Sequence, residues 1–302
     1  MKSSVAVLGL GRMGLPVASR LRDAGREVVV FDVDPSRAAA ARAAGLPVAT
    51  DAVTQAAEVD VLLTVLPGPG ECEAAMLGGV LDAMRPGSLW LDLTSNSPSV
   101  AERIARAAAD RGVAAVAAPM LGGPDDAERG SLGFYLAGEA AALDVATPIL
   151  HDLGDESRLL RAGDRVAQAH VAKLAVNGLW FSQVVAVTEM LLLAQAHGLS
   201  AETFQHILES SPARSEFTEA YLPRLISGDY IDSFGVDRVV EELDEVVRLA
   251  AAAGTPSASI DAVTTVHADA LARYGPIGGE MLAARHLRES AAADSQAVTT
   301  AS

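Results

Sequence analysis

The stretch "VLGLGRMGLPVASRL", residues 7–21, sets glycines at 9, 11 and 14 between a run of β-formers and a helix-forming segment. Each glycine has a use if the loop cradles a dinucleotide. Gly9 permits the tight turn, Gly11 lets a pyrophosphate approach the backbone, and Gly14 lets the helix pack closely on the strand. The helix would then offer unpaired N–H groups and a partial positive charge to the phosphates. Asp32 follows about 20 residues on, at the end of a second apolar run, where a carboxylate can accept both hydroxyls of an adenosine ribose. It would repel a 2′-phosphate and so favours NAD over NADP, with Arg37 close enough in sequence to pull the other way. The competing reading is a plain glycine turn in another α/β protein, with Asp32 an ordinary polar residue at a strand end.

A second constellation lies far downstream. Lys173 and Asn177, in "KLAVN", are four residues apart and share a face if the segment is helical. They would project together from an otherwise apolar helix toward a cleft between domains. Taken alone, such a lysine can equally be a surface residue snorkelling from a helix rim. His170, one turn earlier, either lines the same cleft or is a polar residue at a helix start. Trp180 and Phe181 either floor a pocket or belong to the core.

The elements that must position these residues follow from the hydrophobic pattern. Short apolar runs at 4–10, 27–33, 60–66, 88–93 and 112–120 alternate with helix-like segments at 12–24, 35–44, 51–58, 70–77 and 98–110. The runs are nearly continuous in apolar residues, as strands covered on both faces of a parallel sheet must be. "SLGFYLAG" and "ESRLLRAG" add two strands around a helix at 139–150. The expected fold class is α/β, with an N-terminal doubly wound Rossmann domain over 1–164 and an all-α domain over 165–288. The helical domain reads as segments 165–197, 200–210, 214–226, 235–253 and 256–273. The tail, 289–302, carries a single valine as its only bulky apolar residue and is expected to be disordered.

Composition narrows the partners. Half of the 302 residues are hydrophobic, enough for a large core, and 23 basic against 39 acidic residues give a formal charge of −16. Such a surface repels phosphate backbones and anionic lipid, so neither nucleic acid nor membrane is an expected partner; a small-molecule substrate is. Cys72 is the single cysteine, and the six histidines form no His-x-x-x-His pair, so no disulfide and no metal site is expected. The N-terminal apolar run is short and broken by glycines, unlike a signal peptide. The most apolar region, 171–196, is interrupted by Lys173, Asn177, Gln183 and Glu189, so a soluble cytoplasmic protein is expected.

Four stretches, in order, resemble landmarks of the β-hydroxyacid dehydrogenase family, which includes 3-hydroxyisobutyrate and tartronate semialdehyde dehydrogenases. "GLGRMG" at 9–14 is similar to its cofactor loop, and "LDLTSNSP" at 91–98 to its Asp-x-Ser-Thr-x-x-Pro segment with the two hydroxyl residues exchanged. "APMLGGPDDAERGSL" at 118–132 resembles its substrate-binding loop, and "KLAVN" its catalytic Lys-x-x-x-Asn pair. The resemblance runs from the glycine loop to about residue 285. It implies hydride transfer between a nicotinamide and a hydroxy acid, a semialdehyde or a related alcohol or carbonyl. Lys173 would be the general acid-base and Asn177 would hold lysine and substrate in register. An ammonium can hydrogen-bond a carbonyl and deliver its proton as the alkoxide develops. Cofactor contacts would come from Gly9, Leu10, Gly11, Arg12, Met13, Gly14, Asp32, Leu66, Pro67 and Thr94. The substrate would meet Ser95, Leu121, Gly122, Gly123, Trp180 and Glu241, and the assembly would be a homodimer or homotetramer.

Two positions depart from the family pattern. Leu121 stands where the family has serine, which removes a donor to a substrate carboxylate. Glu241 and Glu242 stand where relatives have a Lys-Asp pair, so a negative charge replaces a positive one unless the glutamates turn to solvent. Both changes weaken the grip on an anion and argue for a substrate other than the usual small 3-hydroxy acid. Imine reductases share this architecture and generally lack the lysine, so Lys173 argues against that alternative while the apolar Leu121 leans toward it. A non-catalytic dinucleotide-binding scaffold or sensor is the alternative of another class.

Overall fold

Val5–Leu8 (β1), Val28–Phe31 (β2), Val61–Thr64 (β3), Leu89–Asp92 (β4) and Ala114–Ala117 (β5) form within the apolar runs. The computed structural model to which they belong describes residues 3–301. These strands pair in parallel in the order β2-β1-β3-β4-β5. Alternate residues of one strand serve two separate cores: Val5, Val7 and Leu63 pack on one face of the sheet, and Ala6, Leu8 and Leu62 on the other. Winding reverses between β1 and β3, and such a reversal leaves a crevice beyond the carboxyl ends of the strands where ligands bind.

Met120–Leu121 (β6), Leu132–Gly138 (β7) and Gly154–Gly163 (β8) extend the sheet. β7 runs antiparallel to β5 and β6, and β8 pairs in parallel with β7. The single strand expected over 112–120 is therefore split. Pro119 has no N–H for the ladder, and the chain turns there and re-enters the sheet against β7.

The chain divides into two units, Met1–Lys173 and Leu174–Ser302. The division falls inside the long helix Val166–Ala196, rather than between 164 and 165. The first turn of that helix belongs to the sheet unit because Val166 and Ala169 are buried with Ala101, Ala117 and Ala137. The second unit is helical, with Ala201–Glu209, Val236–Ala253, Ala258–Tyr274 and Leu282–Ala301 among its elements. Phe181, Phe217, Leu222 and Leu243 are in its core.

The segment from 289, expected to be disordered, instead continues the last helix. Its alanines favour helix, and Glu289 is held by Arg285 Nε at 2.7 Å and by Arg273 Nη2 at 2.7 Å. Ser302, the end of that tail, lies outside the described residues.

His267 is buried in the helical unit, and its Nε2 stands 3.3 Å from the carbonyl of Phe181. A carbonyl only accepts, so Nε2 is the protonated nitrogen of a neutral ring. Burial pushes this imidazole down to about 4, and the bond to Phe181 offsets only part of that. The unfolded chain takes up a proton near pH 6.5, whereas the folded one waits until about pH 4. The contribution of His267 to stability is therefore complete above pH 6.5 and drains as the pH falls toward 4, by about 3 kcal/mol. Urea midpoints of wild type and His267→Gln, compared at pH 7.5 and 4.5, should show a smaller acid loss in the variant. Equal losses would mean that another group carries the acid sensitivity.

Candidate active site

The glycine loop joins β1 to the helix Gly14–Asp23. Gly9 adopts φ +95°, and a Cβ there would stand 2.3 Å from the carbonyl oxygen of Val65, so close approach to the end of β3 requires glycine. A Cβ on Gly14 would stand 1.9 Å from the Gly9 carbonyl oxygen. Gly11 differs, because the first atom its Cβ would meet is Arg37 Nη1 at 3.8 Å. Two glycines therefore build the turn, and the third leaves an open face of backbone. Met13 precedes the helix without a side-chain cap, and no acidic residue lies in the first turn. The leading N–H groups meet no competing carboxylate from their own helix. This loop fits the pyrophosphate of a dinucleotide. Leu10 is buried, Met13 is half-buried against the core, and Arg12 is exposed.

Asp32 has a task that the sequence reading missed. Its carboxylate is 3% exposed. Oδ2 accepts the Leu10 N–H at 2.7 Å and Oδ1 accepts the Asp34 N–H at 2.8 Å. It thereby fastens the loop to the end of β2. Arg37 stands 3.7 Å from both Asp32 and Asp34, its charge shared between two carboxylates.

The loops after β3 and β4 are tied together, since the Leu66 N–H donates to Thr94 Oγ1 at 3.2 Å. Pro67 is exposed, Ser95 half-buried and Thr94 buried. Beneath them lies a polar cluster centred on Asp92, at the end of β4. Asp92 Oδ1 accepts from the Thr64 hydroxyl at 2.8 Å and the Thr94 N–H at 3.0 Å, and Oδ2 from Asn96 Nδ2 at 2.9 Å. His170 Nε2 stands 3.4 Å from Oδ2. Burial alone would raise the Asp92 carboxyl, but His170, Asn96 and Thr64 outweigh it and hold it below the usual range. No sequence pattern announced this cluster, which joins residues from β3, β4 and the long helix.

In the 121–131 loop, Leu121 is half-buried in β6 and Gly122 is exposed with φ +115°. The Gly123 N–H donates to Asp126 Oδ2 at 2.9 Å, so it is already engaged within the loop. Asp126 also takes Ser131 and Arg129, and it braces this loop rather than lying solvated.

Lys173 and Asn177 stand four residues apart on the long helix, as their spacing anticipates. Asn177 Nδ2 donates to Glu242 Oε2 at 2.6 Å. Glu242 is 9% exposed, and its Oε1 has no hydrogen-bond partner among the described residues. Glu241, the neighbour expected at the site, is exposed and pairs with Arg238 at 2.7 Å. Of the two glutamates, it is Glu242 that reaches the Asn177 side chain. Trp180 packs edge-on against Phe217 and Tyr221, at centroid distances of 5.1 and 4.4 Å, while its Nε1 is buried without a hydrogen-bond partner among the described residues. Phe181 is core, 2% exposed. Among the described residues no group of three or more His, Cys, Asp or Glu side chains could hold a metal ion.

A doubly wound sheet with a pyrophosphate cradle, followed by a helical unit entered through a Lys-x-x-x-Asn helix, defines a two-domain nicotinamide-dependent oxidoreductase. Comparison with known proteins names the family. Residues 4–169 match the model described as the NAD binding domain of 6-phosphogluconate dehydrogenase. Residues 167–287 match that of the NAD-binding domain of NADP-dependent 3-hydroxyisobutyrate dehydrogenase. The chain is 34% identical over 242 residues to 2-(hydroxymethyl)glutarate dehydrogenase of Eubacterium barkeri, covering 78% of this chain and 79% of that protein. It is 32% identical over 267 residues to the NAD-dependent L-serine dehydrogenase of Pseudomonas aeruginosa, covering 85% and 89%. The solved Mycobacterium tuberculosis 3-hydroxyisobutyrate dehydrogenase with L-serine superposes with a TM-score of 0.88 at 26% identity, covering 95% of this chain and all of that one. An imine reductase from Pseudomonas sp. shares the fold at a TM-score of 0.60 and 22% identity, covering 95% and 100%. The chain belongs to the β-hydroxyacid dehydrogenase family and is an NAD(P)-dependent oxidoreductase.

Proposed function

We propose that the protein interconverts a β-hydroxy acid, or a closely related alcohol, with its carbonyl form, with Lys173 as general acid-base. The observation that carries this reading is the Lys173–Asn177 pair on one helix, with Asn177 held by the buried Glu242 at 2.6 Å. A bound nicotinamide would supply the hydride acceptor for oxidation at the carbinol carbon. Lys173 Nζ takes the hydroxyl proton in that direction and returns it to the oxygen in reduction. Asn177, oriented by Glu242, fixes the substrate. Ser95 and the Gly122 N–H grip the carboxylate, with less help from Gly123, whose N–H is given to Asp126. Leu121 and Pro67 would supply apolar contacts from the sheet unit, and Trp180 from the helical unit. The carboxylates of Asp32 and Asp34, with Arg37 shared between them, support NAD over NADP.

The substrates named for the relatives, L-serine, 2-(hydroxymethyl)glutarate and 3-hydroxyisobutyrate, all carry a hydroxymethyl group on the carbon next to a carboxylate. That is the class proposed here, broadened by the loss of a donor at Leu121 toward less polar members. The long helix exposes Val171, Val176, Leu179, Met190 and Leu193. It is apolar and long enough to cross a bilayer by length and composition alone, but its exposed side suits a second copy of the chain. A soluble, cytoplasmic homodimer or homotetramer is proposed.

Titration with NADH and NADPH followed by fluorescence, with a screen of β-hydroxy acids, aldehydes and cyclic imines, tests the whole reading. Tighter NADH binding and turnover of a hydroxymethyl carboxylate are expected, from a sample that sediments as a dimer or tetramer. No binding of either cofactor would remove the cradle. Turnover of cyclic imines alone would turn the assignment to an imine reductase, which Leu121 favours. Cofactor binding with no turnover of any substrate would favour a scaffold.

A further inference from the structure

We infer that His170 is a positioning residue for Lys173, acting through the buried carboxylate of Asp92; the inference rests on the acid-base reading of Lys173. Both side chains of the pair are buried, at 0% and 1% exposure, and His170 Nε2 stands 3.4 Å from Asp92 Oδ2. Neither ring nitrogen has a hydrogen-bond partner among the described residues, and the 3.4 Å approach of Nε2 to Asp92 Oδ2 is the polar contact that orients the ring. Asp92 ends a strand that is paired on both sides. Through Thr94 N–H and Asn96 Nδ2 the same carboxylate fixes the loop that carries Thr94 and Ser95. One anion therefore references two parts of the site to each other: the loop after β4 and the opening turns of the lysine helix.

Lys173 is three residues beyond His170, on the neighbouring turn of the same side of the helix. A slide or rotation of the helix that breaks the His170 contact must carry Lys173 with it. Stability alone does not explain the pair. Burying charge is costly, and an apolar pair of similar volume is often as stable or more so. What a carboxylate and an imidazole add is direction. Val166 and Ala169 supply the packing of this turn, and His170 supplies its angular setting.

Two substitutions separate direction from bulk. The Nε2 of glutamine can occupy the place of the imidazole Nε2, facing Asp92, whereas the Nδ2 of asparagine falls where the unpartnered Nδ1 lies. His170→Gln is expected to keep kcat within about threefold, and His170→Asn to lower it by about 100-fold, the scale of a misplacement near one ångström. L-Serine and 3-hydroxyisobutyrate are the probes, with kcat expressed per NADH site titrated so that unfolded protein does not count. KM and the NADH Kd should stay near wild type in both variants.

A readout independent of turnover is at hand, because Lys173 and Lys2 are the only lysines in the sequence. After reductive methylation with 13C-formaldehyde, the Lys173 dimethyl resonance should keep its position in His170→Gln and shift or split in His170→Asn. Wild-type kcat per site in His170→Asn would overturn the inference. Wild-type turnover in Lys173→Ala would instead remove the acid-base reading on which it rests, and a Lys173 resonance unmoved in His170→Asn would overturn the inference with or without turnover.

Discussion

Lys173→Ala is expected to lower kcat by about 1000-fold, within the usual span for a positioned general acid-base, and to leave the NADH Kd near wild type. The size follows from the loss of the proposed proton carrier. Apart from Lys2 the chain has no other lysine, and Asn177, four residues on, cannot accept a proton at neutral pH. Lys173→Arg should be nearly as inactive. A guanidinium stays protonated throughout the working range, so it can orient an oxygen but not exchange a proton with it. A lysine that merely snorkelled from a helix rim would predict something quite different, a change within about 0.5 kcal/mol for either substitution. Steady-state turnover beside a fluorescence titration of NADH decides the matter. Unchanged turnover in Lys173→Ala would take the residue out of the mechanism.

The sheet was legible because β1, β3 and β4 are covered on both faces and therefore apolar without interruption, a pattern one sequence displays by itself. The helices of the second unit were legible from their period and the glycines between them. What escaped depends on which neighbours are brought together in space. Glu241 and Glu242 are adjacent, and of the two it is Glu242 that bonds Asn177 while Glu241 pairs with Arg238. A signal existed: Val236, Val239 and Leu243 are all buried, and counting three residues from Val239 reaches Glu242, leaving Glu241 off that face. The Asp92 cluster had no such signal. Its members come from β3, β4 and the long helix, and His170 read alone is only a polar residue near a helix start. The tail is ambiguous in sequence because low hydrophobicity is compatible with disorder and with an exposed helix. Alanines and the Glu289–Arg285 pair suit a helix as well as they suit a coil.

Alanine substitution at two of the loop's glycines should have different consequences for the empty protein and the same consequence for the cofactor. In Gly14→Ala the new Cβ would stand 1.9 Å from the Gly9 carbonyl oxygen and 2.8 Å from its carbon. Gly9 cannot retreat, since its own Cα already approaches the Val65 carbonyl so closely that a Cβ there would lie 2.3 Å away. The backbone must therefore open, costing about 2 kcal/mol as overpacking does, and lowering Tm by roughly 5 °C. The helix N-terminus moves with it, and NADH binding weakens by about 30-fold if restoring the cradle around the cofactor costs a further ~2 kcal/mol. Gly11→Ala has room, with Arg37 Nη1 at 3.8 Å as the first neighbour and no positive φ to strain. It should leave Tm unchanged, yet its methyl would occupy the face left open for the pyrophosphate and weaken NADH binding by a similar factor. The pair asks of the molecule what the glycine spacing alone could not answer. A loop that is only a turn loses stability in Gly14→Ala and nothing in Gly11→Ala. A loop that is a cradle loses NADH in both, and wild-type NADH affinity in Gly11→Ala would leave the turn as its whole purpose.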